Sequence, residues 1–163
     1  MTLDAIIEAL KFIFPAYCAN AAPVIFGGGK PIDLGRKFTD GKPIFGKNKT
    51  FRGFISGLII GTLVGLAENI FFGYSPFFGF ITSLGALIGD LLESFIKRRI
   101  GIGPGEIFPL ADQLDFVLGA ICFSFLVMPP KIDVLIITLI ITPPIHLATN
   151  FLAYLFKLKE KPF

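Results

Sequence analysis

Several residue types that build common sites are scarce in this chain of 163 residues. It has no tryptophan, one histidine and two cysteines, and 17% of its residues are charged. No zinc-type spacing, Ser–His–Asp arrangement or usable Cys–His pair is found, so these chemistries are excluded. Cys18 and Cys122 lie in apolar runs, which favours reduced, buried thiols over a disulfide framework. Asp4 and Glu8 stand near the N-terminus in place of a basic segment, which argues against a cleaved signal peptide.

Apolar surface is what the chain has in excess: hydrophobic residues make up 53% of it, and the mean hydropathy is +0.76. A soluble domain of this length has too little interior to hide that surface. The apolar residues fall in runs of about 20, enough for a helix to cross a hydrocarbon core of about 30 Å. These runs are too long and too uniformly apolar to be the strands of a β-barrel. We therefore predict an all-α integral membrane protein, one domain over 1–163, with five transmembrane helices at about 4–26, 53–73, 75–96, 112–129 and 132–156.

The basic residues predict how these helices are oriented. Thirteen of the fifteen Lys and Arg residues lie in the segment 27–52, at 97–99 and in the C-terminal tail. With five crossings, all three stretches fall on one side of the membrane. Because cytoplasmic loops carry an excess of Lys and Arg, we expect a multi-pass cell-membrane protein with its N-terminus outside. Both long loops and the C-terminus are expected in the cytoplasm.

The third segment ends with a row of polar residues at membrane depth, where charged side chains are costly and usually functional. Asp90, Glu93, Ser94 and Lys97 are three or four residues apart and therefore share one helical face. One interpretation is structural, with Glu93 paired to Lys97 at i,i+4 and Asp90 reaching toward water. The other is that this face lines a functional site.

The fourth segment opens with a second acidic pair, Asp112 and Asp115, at i,i+3. Capping and dipole compensation at a helix N-terminus explain Asp112 well, but they explain Asp115 less well because it lies one turn deeper. Asp90, near the end of the preceding helix, could converge with this pair. Hard oxygen ligands beside a loop full of cations are typical of a magnesium site that handles phosphates.

The long basic loop before the second segment supplies the cations that would accompany these carboxylates. The stretch 46–53 combines glycines with Lys47, Lys49, Arg52 and the Thr50 hydroxyl at a helix start, which suits a polyphosphate. It does not match the P-loop pattern. A solvated basic loop that attracts anionic lipid head groups explains the composition equally well.

Two polar groups lie inside apolar segments. Tyr17, Asn20 and Pro23 in the first segment either kink the helix or line a cleft. His146 and Asn150 share one face of the fifth segment at i,i+4, and we interpret them as interhelical hydrogen-bond partners without a catalytic role.

At these residues the sequence resembles the CDP-diacylglycerol synthases, which are membrane cytidylyltransferases that use magnesium. The shared motifs are Gly89-Asp90 followed by Glu93-Ser94 and Lys97-Arg98, then Asp112-x-x-Asp115, and Lys49-Thr50-Phe51-Arg52-Gly53. The resemblance is closer to the small archaeal branch, the CDP-archaeol synthases, and it covers nearly the whole chain. The motifs of that branch are Tyr17-x-Ala19-Asn20-x-x-Pro23, Pro31-Ile32-Asp33 and Phe108-Pro109-x-x-Asp112-Gln113-x-Asp115-Phe116.

The chain also departs from the bacterial and eukaryotic pattern. The stretch 99–106 lacks the Lys-Asp pair and the histidine of that pattern, and Gln113 replaces an arginine. A metal ligand carried by the missing aspartate must be replaced, for instance by Asp90, or be absent. These departures favour an isoprenoid ether lipid over a fatty-acyl ester lipid as substrate.

The resemblance implies a magnesium-dependent enzyme that transfers CMP from CTP to an archaeal ether-lipid phosphate, bis-O-geranylgeranyl-glycerol phosphate, giving CDP-archaeol and pyrophosphate. Its partners are then CTP, this lipid and membrane lipids, without nucleic acid, and a homodimer is left open. The implied Mg²⁺ ligands are Asp90, Asp112 and Asp115. The implied catalytic residues are Lys49, Arg52, Glu93, Lys97 and Arg98. The implied substrate-binding residues are Asn20, Lys49, Thr50, Arg52, Ser94, Lys97 and Arg98.

Other functions make different predictions. A CDP-diacylglycerol synthase would act on phosphatidic acid instead. A CDP-alcohol phosphotransferase would need a denser Asp-Gly-rich run with four acidic residues on two helix turns, which this chain lacks. A small cation channel or transporter, with Asp90 and Asp115 in its pathway, would lack the basic loop and often show a repeated half. Thermal stabilisation by a nucleotide distinguishes these enzymes from a channel.

Overall fold

The computed structural model describes residues 2–159, which form five α-helices. They are α1 (Leu3–Phe26), α2 (Phe51–Phe72), α3 (Phe78–Arg99), α4 (Ala111–Ser124) and α5 (Ile132–Leu155). The prediction of an all-helical chain is confirmed. The long connections 27–50 and 100–110 and residues 156–159 lie at one end of the bundle, called the loop end below. The short connections 73–77 and 125–131 lie at the other end, the turn end.

α1 is the central helix, because it packs against each of the other four. α2 contacts α1 and α3, whereas α5 contacts α1 and α4. The core around α1 is built from large side chains of α1, α3 and α4, including Phe12, Ile13, Phe78, Phe116 and Val117. The rings of Phe12 and Phe78 pack with their centres 5.6 Å apart.

Small residues let α2 approach its neighbours closely. A glycine recurs at every fourth position along its buried face: Gly53, Gly57, Gly61 and Gly65. A Cβ atom on Gly57 would lie 2.6 Å from the carbonyl oxygen of Ala19, and one on Gly65 would lie 2.2 Å from Gly79 Cα. Within a bilayer no hydrophobic force holds helices together, so close packing of small residues takes its place.

The outer surface of the bundle is covered by large apolar side chains. On α2, Ile59, Leu63 and Ile70 are 53%, 60% and 78% exposed. Monomeric soluble proteins rarely expose contiguous apolar surface of this extent. Four helices, α1, α2, α3 and α5, are long and apolar enough to cross a membrane.

α4 is shorter than predicted. The sequence predicted a segment over 112–129, but the helix ends at Ser124 after 14 residues. Residues 125–128 form turns, in which the Met128 N–H donates to the Ser124 carbonyl at 2.7 Å. Pro129 and Pro130 lack the N–H groups that would continue the helix, and Pro129 disfavours helical backbone at Met128. At 1.5 Å per residue α4 is about 21 Å long, which is less than the thickness of a hydrocarbon core. The bounds of the other helices lie within three residues of the predicted segments.

Candidate active site

The first long connection, 27–50, is an ordered loop organised around one buried carboxylate. Asp33 is 5% exposed and accepts hydrogen bonds from the backbone N–H groups of Gly35, Phe45 and Gly46 at 2.9, 3.0 and 2.8 Å. Burial acts to raise the pKa of Asp33, but these three donors outweigh it and hold this pKa below its ordinary value. The Pro-Ile-Asp motif therefore shapes the loop.

Arg99, the last residue of α3, anchors this loop. Its guanidinium donates to Asp40 at 3.0 Å and to the Pro43 carbonyl, and it lies 5.0 Å from the centre of the Phe38 ring. Lys42 donates in turn to the Arg99 carbonyl at 2.8 Å. These contacts hold the loop against the end of α3, where the polar row predicted from the sequence ends.

The residues around the start of α2 have different environments. The Thr50 side chain accepts a hydrogen bond from the Gly53 N–H at 3.1 Å, so this hydroxyl caps α2. Arg52 is exposed on the first turn of the helix. Asn20, which was predicted to bind substrate, is half-buried on α1, three residues after Tyr17. The structure thus gives Thr50 a structural contact and leaves Arg52 and Asn20 accessible.

Lysines and carboxylates from three elements form a cluster at the loop end. Lys49 Nζ lies 2.6 Å from an Asp90 oxygen. Lys97 Nζ lies 2.8 and 3.0 Å from the two Asp112 oxygens and 3.5 Å from Glu93 Oε1. The i,i+4 pair of Glu93 with Lys97 is therefore present, as the structural interpretation expected. Asp90, however, contacts a lysine of the first loop instead of reaching only water.

Glycines decide how closely α3 and α4 approach at this cluster. A Cβ atom on Gly89 would lie 2.3 Å from the Asp115 carbonyl oxygen, and one on Gly85 would lie 2.4 Å from that of Gly119. The two backbones touch because no side chain separates them. Asp90 directly follows Gly89, so this contact brings Asp90 and Asp115 close enough for their charges to interact.

Lys49 faces the acidic cluster as a whole. Burial acts to lower the pKa of the Lys49 ammonium, but Asp90, together with Asp115 and Glu93, raises it above its ordinary value. Lys49 is therefore fully charged at neutral pH and is held between the first loop and α3.

The donor chemistry of this cluster fits a hard cation. Among residues 2–159, no three acidic, histidine or cysteine side chains already form a metal-binding group. The ammonium groups of Lys49 and Lys97 instead lie within 3.0 Å of Asp90 and Asp112, where a cation is electrostatically favoured. Glu93 Oε1 is buried and accepts no hydrogen bond in the described part of the chain. Mg²⁺ prefers oxygen ligands, which the carboxylates of this cluster supply. The Glu93 oxygen that accepts no hydrogen bond within residues 2–159 is free to serve such an ion.

Arg98 is a buried cation beside this cluster. It is 6% exposed, and its Nε donates to the Ser94 carbonyl at 3.4 Å, while its Nη1 has no hydrogen-bond partner within residues 2–159. An unpaired buried charged donor is costly, so this position is suited to an anion. Ser94 is also buried, and it contributes its carbonyl rather than its hydroxyl to this contact.

Comparison with known proteins agrees with this arrangement. The family model of CarS-like CDP-archaeol synthases matches residues 2–163. The chain is 45% identical to a CDP-archaeol synthase of Pyrococcus furiosus, over 99% of this chain and 100% of that protein. It is 43% identical to one of Methanocaldococcus jannaschii, over 93% and 94% of the two chains. The chain belongs to the CDP-archaeol synthase family. The resemblance found in the sequence motifs is thereby confirmed.

A solved structure supports the membership. It is described as an intramembrane enzyme for archaeal membrane lipids biosynthesis, and it matches with a TM-score of 0.84 at 38% identity, covering 89% of this chain and 94% of that one. Together with the four long apolar helices, this match identifies the present member of the CDP-archaeol synthase family as a membrane protein.

Four side chains of this CDP-archaeol synthase family member lie together next to Asp115; the sequence reasoning gave three of them no site role, and it predicted that Tyr17 either kinks α1 or lines a cleft. They are called the site floor below: Tyr17, Phe116, Thr142 and His146. The hydroxyls of Tyr17 and Thr142 lie 2.9 Å apart, and the Phe116 ring lies 5.8 Å from Tyr17 and 5.9 Å from His146. A lone histidine and a tyrosine inside apolar runs were the available signal.

Proposed function

We propose that this chain transfers CMP from CTP to an archaeal ether-lipid phosphate, bis-O-geranylgeranyl-glycerol phosphate, and releases pyrophosphate. Membership in the CDP-archaeol synthase family supports the formation of CDP-archaeol in archaeal lipid biosynthesis. The observation that carries the residue assignment is the cluster of Asp90, Glu93 and Asp112 with Lys49 and Lys97 at one end of apolar helices. Lysines beside carboxylates that could hold a cation suit the binding of a polyphosphate, and the apolar helices place them beside a membrane.

The reaction suits the side chains that are present. A phosphomonoester has a second pKa of about 6, so the acceptor is largely a dianion at neutral pH and needs no strong protein base. Its oxygen attacks the α-phosphorus of CTP in line, and pyrophosphate leaves. The enzyme then acts by positioning the reactants and neutralising charge. This is consistent with a site built from lysines, an arginine and carboxylates.

We assign Asp90, Asp112 and Asp115 to Mg²⁺, because their oxygens and the unsatisfied Glu93 Oε1 suit this ion. Bound Mg²⁺ would supply neutralisation of the triphosphate charge. Lys49 and Lys97 neutralise two of these carboxylates in the absence of the metal, and they would turn to phosphate oxygens when it is bound.

The remaining predicted residues are assigned roles according to how buried they are and what they contact. Arg98, with its unpartnered Nη1, is proposed to bind the pyrophosphate portion of CTP, and Ser94 supports it. Arg52 is exposed and is assigned to steering and binding of the polyphosphate. Thr50 is proposed to act through the start of α2, which it caps. Asn20 is proposed to contact the substrate from α1.

The proposed topology is one domain over 1–163 with five crossings, with the N-terminus outside and the loop end in the cytoplasm. The concentration of Lys and Arg at the loop end supports this orientation. α4 crosses with the help of the turns at 125–128, since its 14 helical residues alone are too short. A homodimer within the membrane is compatible with this topology.

The test is pyrophosphate release by the purified full-length chain in detergent, with CTP, Mg²⁺ and either the ether-lipid phosphate or phosphatidic acid. We expect release with the ether lipid and its abolition by EDTA. Asp115→Asn should lower turnover at least about 100-fold. The matched control is Asp133→Asn, an exposed carboxylate on the first turn of α5 at the turn end. Release with phosphatidic acid alone would reassign the lipid, and no release with either lipid would overturn the function.

A further inference from the structure

Three polar side chains near the loop end of the bundle form a hydrogen-bonded series. Lys159 Nζ donates to Asn150 Oδ1 at 2.6 Å, and Asn150 Nδ2 lies 3.3 Å from His146 Nδ1. An ammonium can only donate, so the Asn150 oxygen faces Lys159 and its NH₂ group faces the imidazole. Nδ1 of His146 is therefore an acceptor, and the ring proton is carried by Nε2. The series presents one N–H at His146 and an ammonium at Lys159.

The histidine at the inner end of this series borders the carboxylate cluster. Its ring packs against Phe116, with ring centres 5.9 Å apart at an interplanar angle of 33°. Phe116 directly follows Asp115 and is buried. The stacking holds the imidazole in the site floor, so that its orientation is set by Phe116 on one side and by Asn150 on the other.

The lysine at the outer end interacts electrostatically with the same cluster. Burial and the Lys49 ammonium lower the pKa of Lys159, while Asp112 and Asp90 act in the opposite direction. Lys159 is therefore close enough to these three groups to sense their charges. Its hydrogen bond goes to the neutral Asn150, whereas Lys49 and Lys97 pair with carboxylates.

The two sets of cations are carried by different elements of the fold. Within residues 2–159, α5 does not contact α3, although both contact α1 and α4. Lys49, Lys97 and Arg98 approach from the first loop and α3, whereas His146 and Lys159 approach from α5 and the residues that follow it. An in-line displacement requires the attacking oxygen and the leaving group on opposite sides of the phosphorus. If one side holds pyrophosphate, the other side must hold the acceptor.

The α5 side also has apolar surface beside its cation. Tyr154, Leu155 and Leu158 are 41%, 56% and 48% exposed. With Lys157 and Lys159 they line a cavity of about 670 Å³. A lipid whose chains lie along this apolar surface could bring its phosphate to Lys159 without leaving the bilayer.

We propose that His146 and Lys159 bind the phosphate of the lipid acceptor, and that Asn150 positions both of them. This inference rests on the proposed cytidylyl transfer and adds to it the place where the acceptor binds. The Nε2–H of His146 and the ammonium of Lys159 are the two donors to the phosphate oxygens. Neither was assigned from the sequence, because Lys159 lies in the tail and His146 was interpreted as structural.

The chemistry balances without a proton from either residue. One phosphate oxygen of the lipid forms a bond to the α-phosphorus, and the bond from that phosphorus to the bridging oxygen of the β-phosphate breaks. Pyrophosphate leaves with the bonding electrons. His146 stays neutral and Lys159 stays charged throughout, so both act by binding and orienting the acceptor.

The experiment measures KM for the lipid phosphate and, separately, affinity for CTP in the full-length chain. We expect Lys159→Gln and His146→Phe each to raise KM for the lipid about 10-fold, the effect of one hydrogen bond to a charged group. CTP affinity should change less than about 2-fold. Lys159→Arg should restore much of the loss. The matched control, Lys131→Gln, removes a charge at the opposite end of α5 and should leave both values unchanged.

Asn150→Leu tests the positioning role. It should raise KM for the lipid while leaving CTP affinity unchanged, because it removes the partner of His146 and Lys159 but no donor to the phosphate. Equal losses of lipid and CTP binding in the Lys159 and His146 variants would overturn the inference, as would unchanged KM values in both. Should these variants behave like wild type while Asp115→Asn is inactive, the acceptor site fails and the proposed function stands. An inactive wild-type chain would overturn both.

Discussion

Lys49 and Asp90 are 41 positions apart in the sequence, yet the Lys49 ammonium lies 2.6 Å from an Asp90 oxygen. The resemblance implied a different task for each, phosphate binding for the lysine and metal binding for the aspartate. In the absence of ligands they neutralise each other across the contact between the first loop and α3. Loading of CTP and of Mg²⁺ should therefore be coupled, because each ligand releases the partner of the other.

The coupling predicts how the chain responds to CTP. CTP with Mg²⁺ at about 100 times the dissociation constant should raise the melting temperature by about 5 °C or more. CTP with EDTA should have a much smaller effect, since Asp90 then still holds Lys49. Thermal denaturation in detergent measures both. Equal stabilisation by CTP with and without Mg²⁺ would contradict the coupling.

Lys97 should matter for folding as well as for turnover. It contacts Asp112 and Glu93 and its side chain is 8% exposed, so Lys97→Met leaves two carboxylates facing each other. We expect a loss of about 3 kcal/mol in unfolding free energy. Addition of Glu93→Gln should recover part of the loss, because one of the two charges is removed. The control Lys47→Met, at an exposed position of the first loop, should be nearly neutral.

Gly89→Ala tests the approach of α3 to α4. The new methyl group would lie 2.3 Å from the Asp115 carbonyl oxygen, so the helices must separate. We expect a lower melting temperature. Turnover should fall further than the loss of folded protein accounts for, since Asp90 moves away from Asp115. Leu92→Ala, on the exposed face of α3, is the control. Wild-type turnover in Gly89→Ala would show that the close contact is not needed.

Asp33 predicts a pH dependence of the first loop. Its pKa in the folded chain lies below the ordinary value of 3.8, so its contribution to stability is complete above that value. The contribution is lost as the pH falls through the lower folded pKa. The wild-type loop should therefore be better protected from hydrogen exchange than that of Asp33→Ala. This difference should be constant from about pH 5 to 8 and should shrink below the ordinary pKa of the carboxyl group.

Hydrogen exchange across residues 27–50 measures this difference. Asp133→Ala, which removes an exposed carboxylate at the turn end, should leave the loop protection unchanged at every pH. A difference that stayed constant well below pH 3.8 would mean that the three N–H bonds to the Asp33 carboxylate are not its cause.

Arg98→Met should not lower the stability of the chain but should lower its affinity for CTP. The guanidinium is buried with an unpartnered Nη1, so its removal should leave the ligand-free chain equally or more stable. Affinity for CTP should fall about 10-fold or more, because the substitution removes the buried donor that would bind a phosphate oxygen. Thermal denaturation and nucleotide binding measure the two effects. Arg36→Met, in the exposed part of the first loop, is the control. Unchanged CTP affinity would remove Arg98 from the site.

The helices could be predicted because their causes are local. Apolar runs of spanning length and a Thr50 cap are properties of neighbouring residues, and so is the shared face of Asp90, Glu93 and Lys97. α4 was predicted too long for the same reason. Apolar residues continue through Met128, and hydropathy alone does not register that Pro129 and Pro130 stop the hydrogen bonding of a helix.

From its residues alone, the chain can be predicted to be a helical membrane protein with two acidic pairs and a basic loop at one end. Which lysine meets which carboxylate depends on the fold, and so does the contact of His146 with Phe116 next to Asp115. Lys49 reaches Asp90 because Asp33 and Arg99 shape and anchor the loop. These contacts join residues far apart in the chain, and they depend on how closely helices approach. That distance is set by glycines packed against a neighbouring backbone, which no periodicity within one segment reveals.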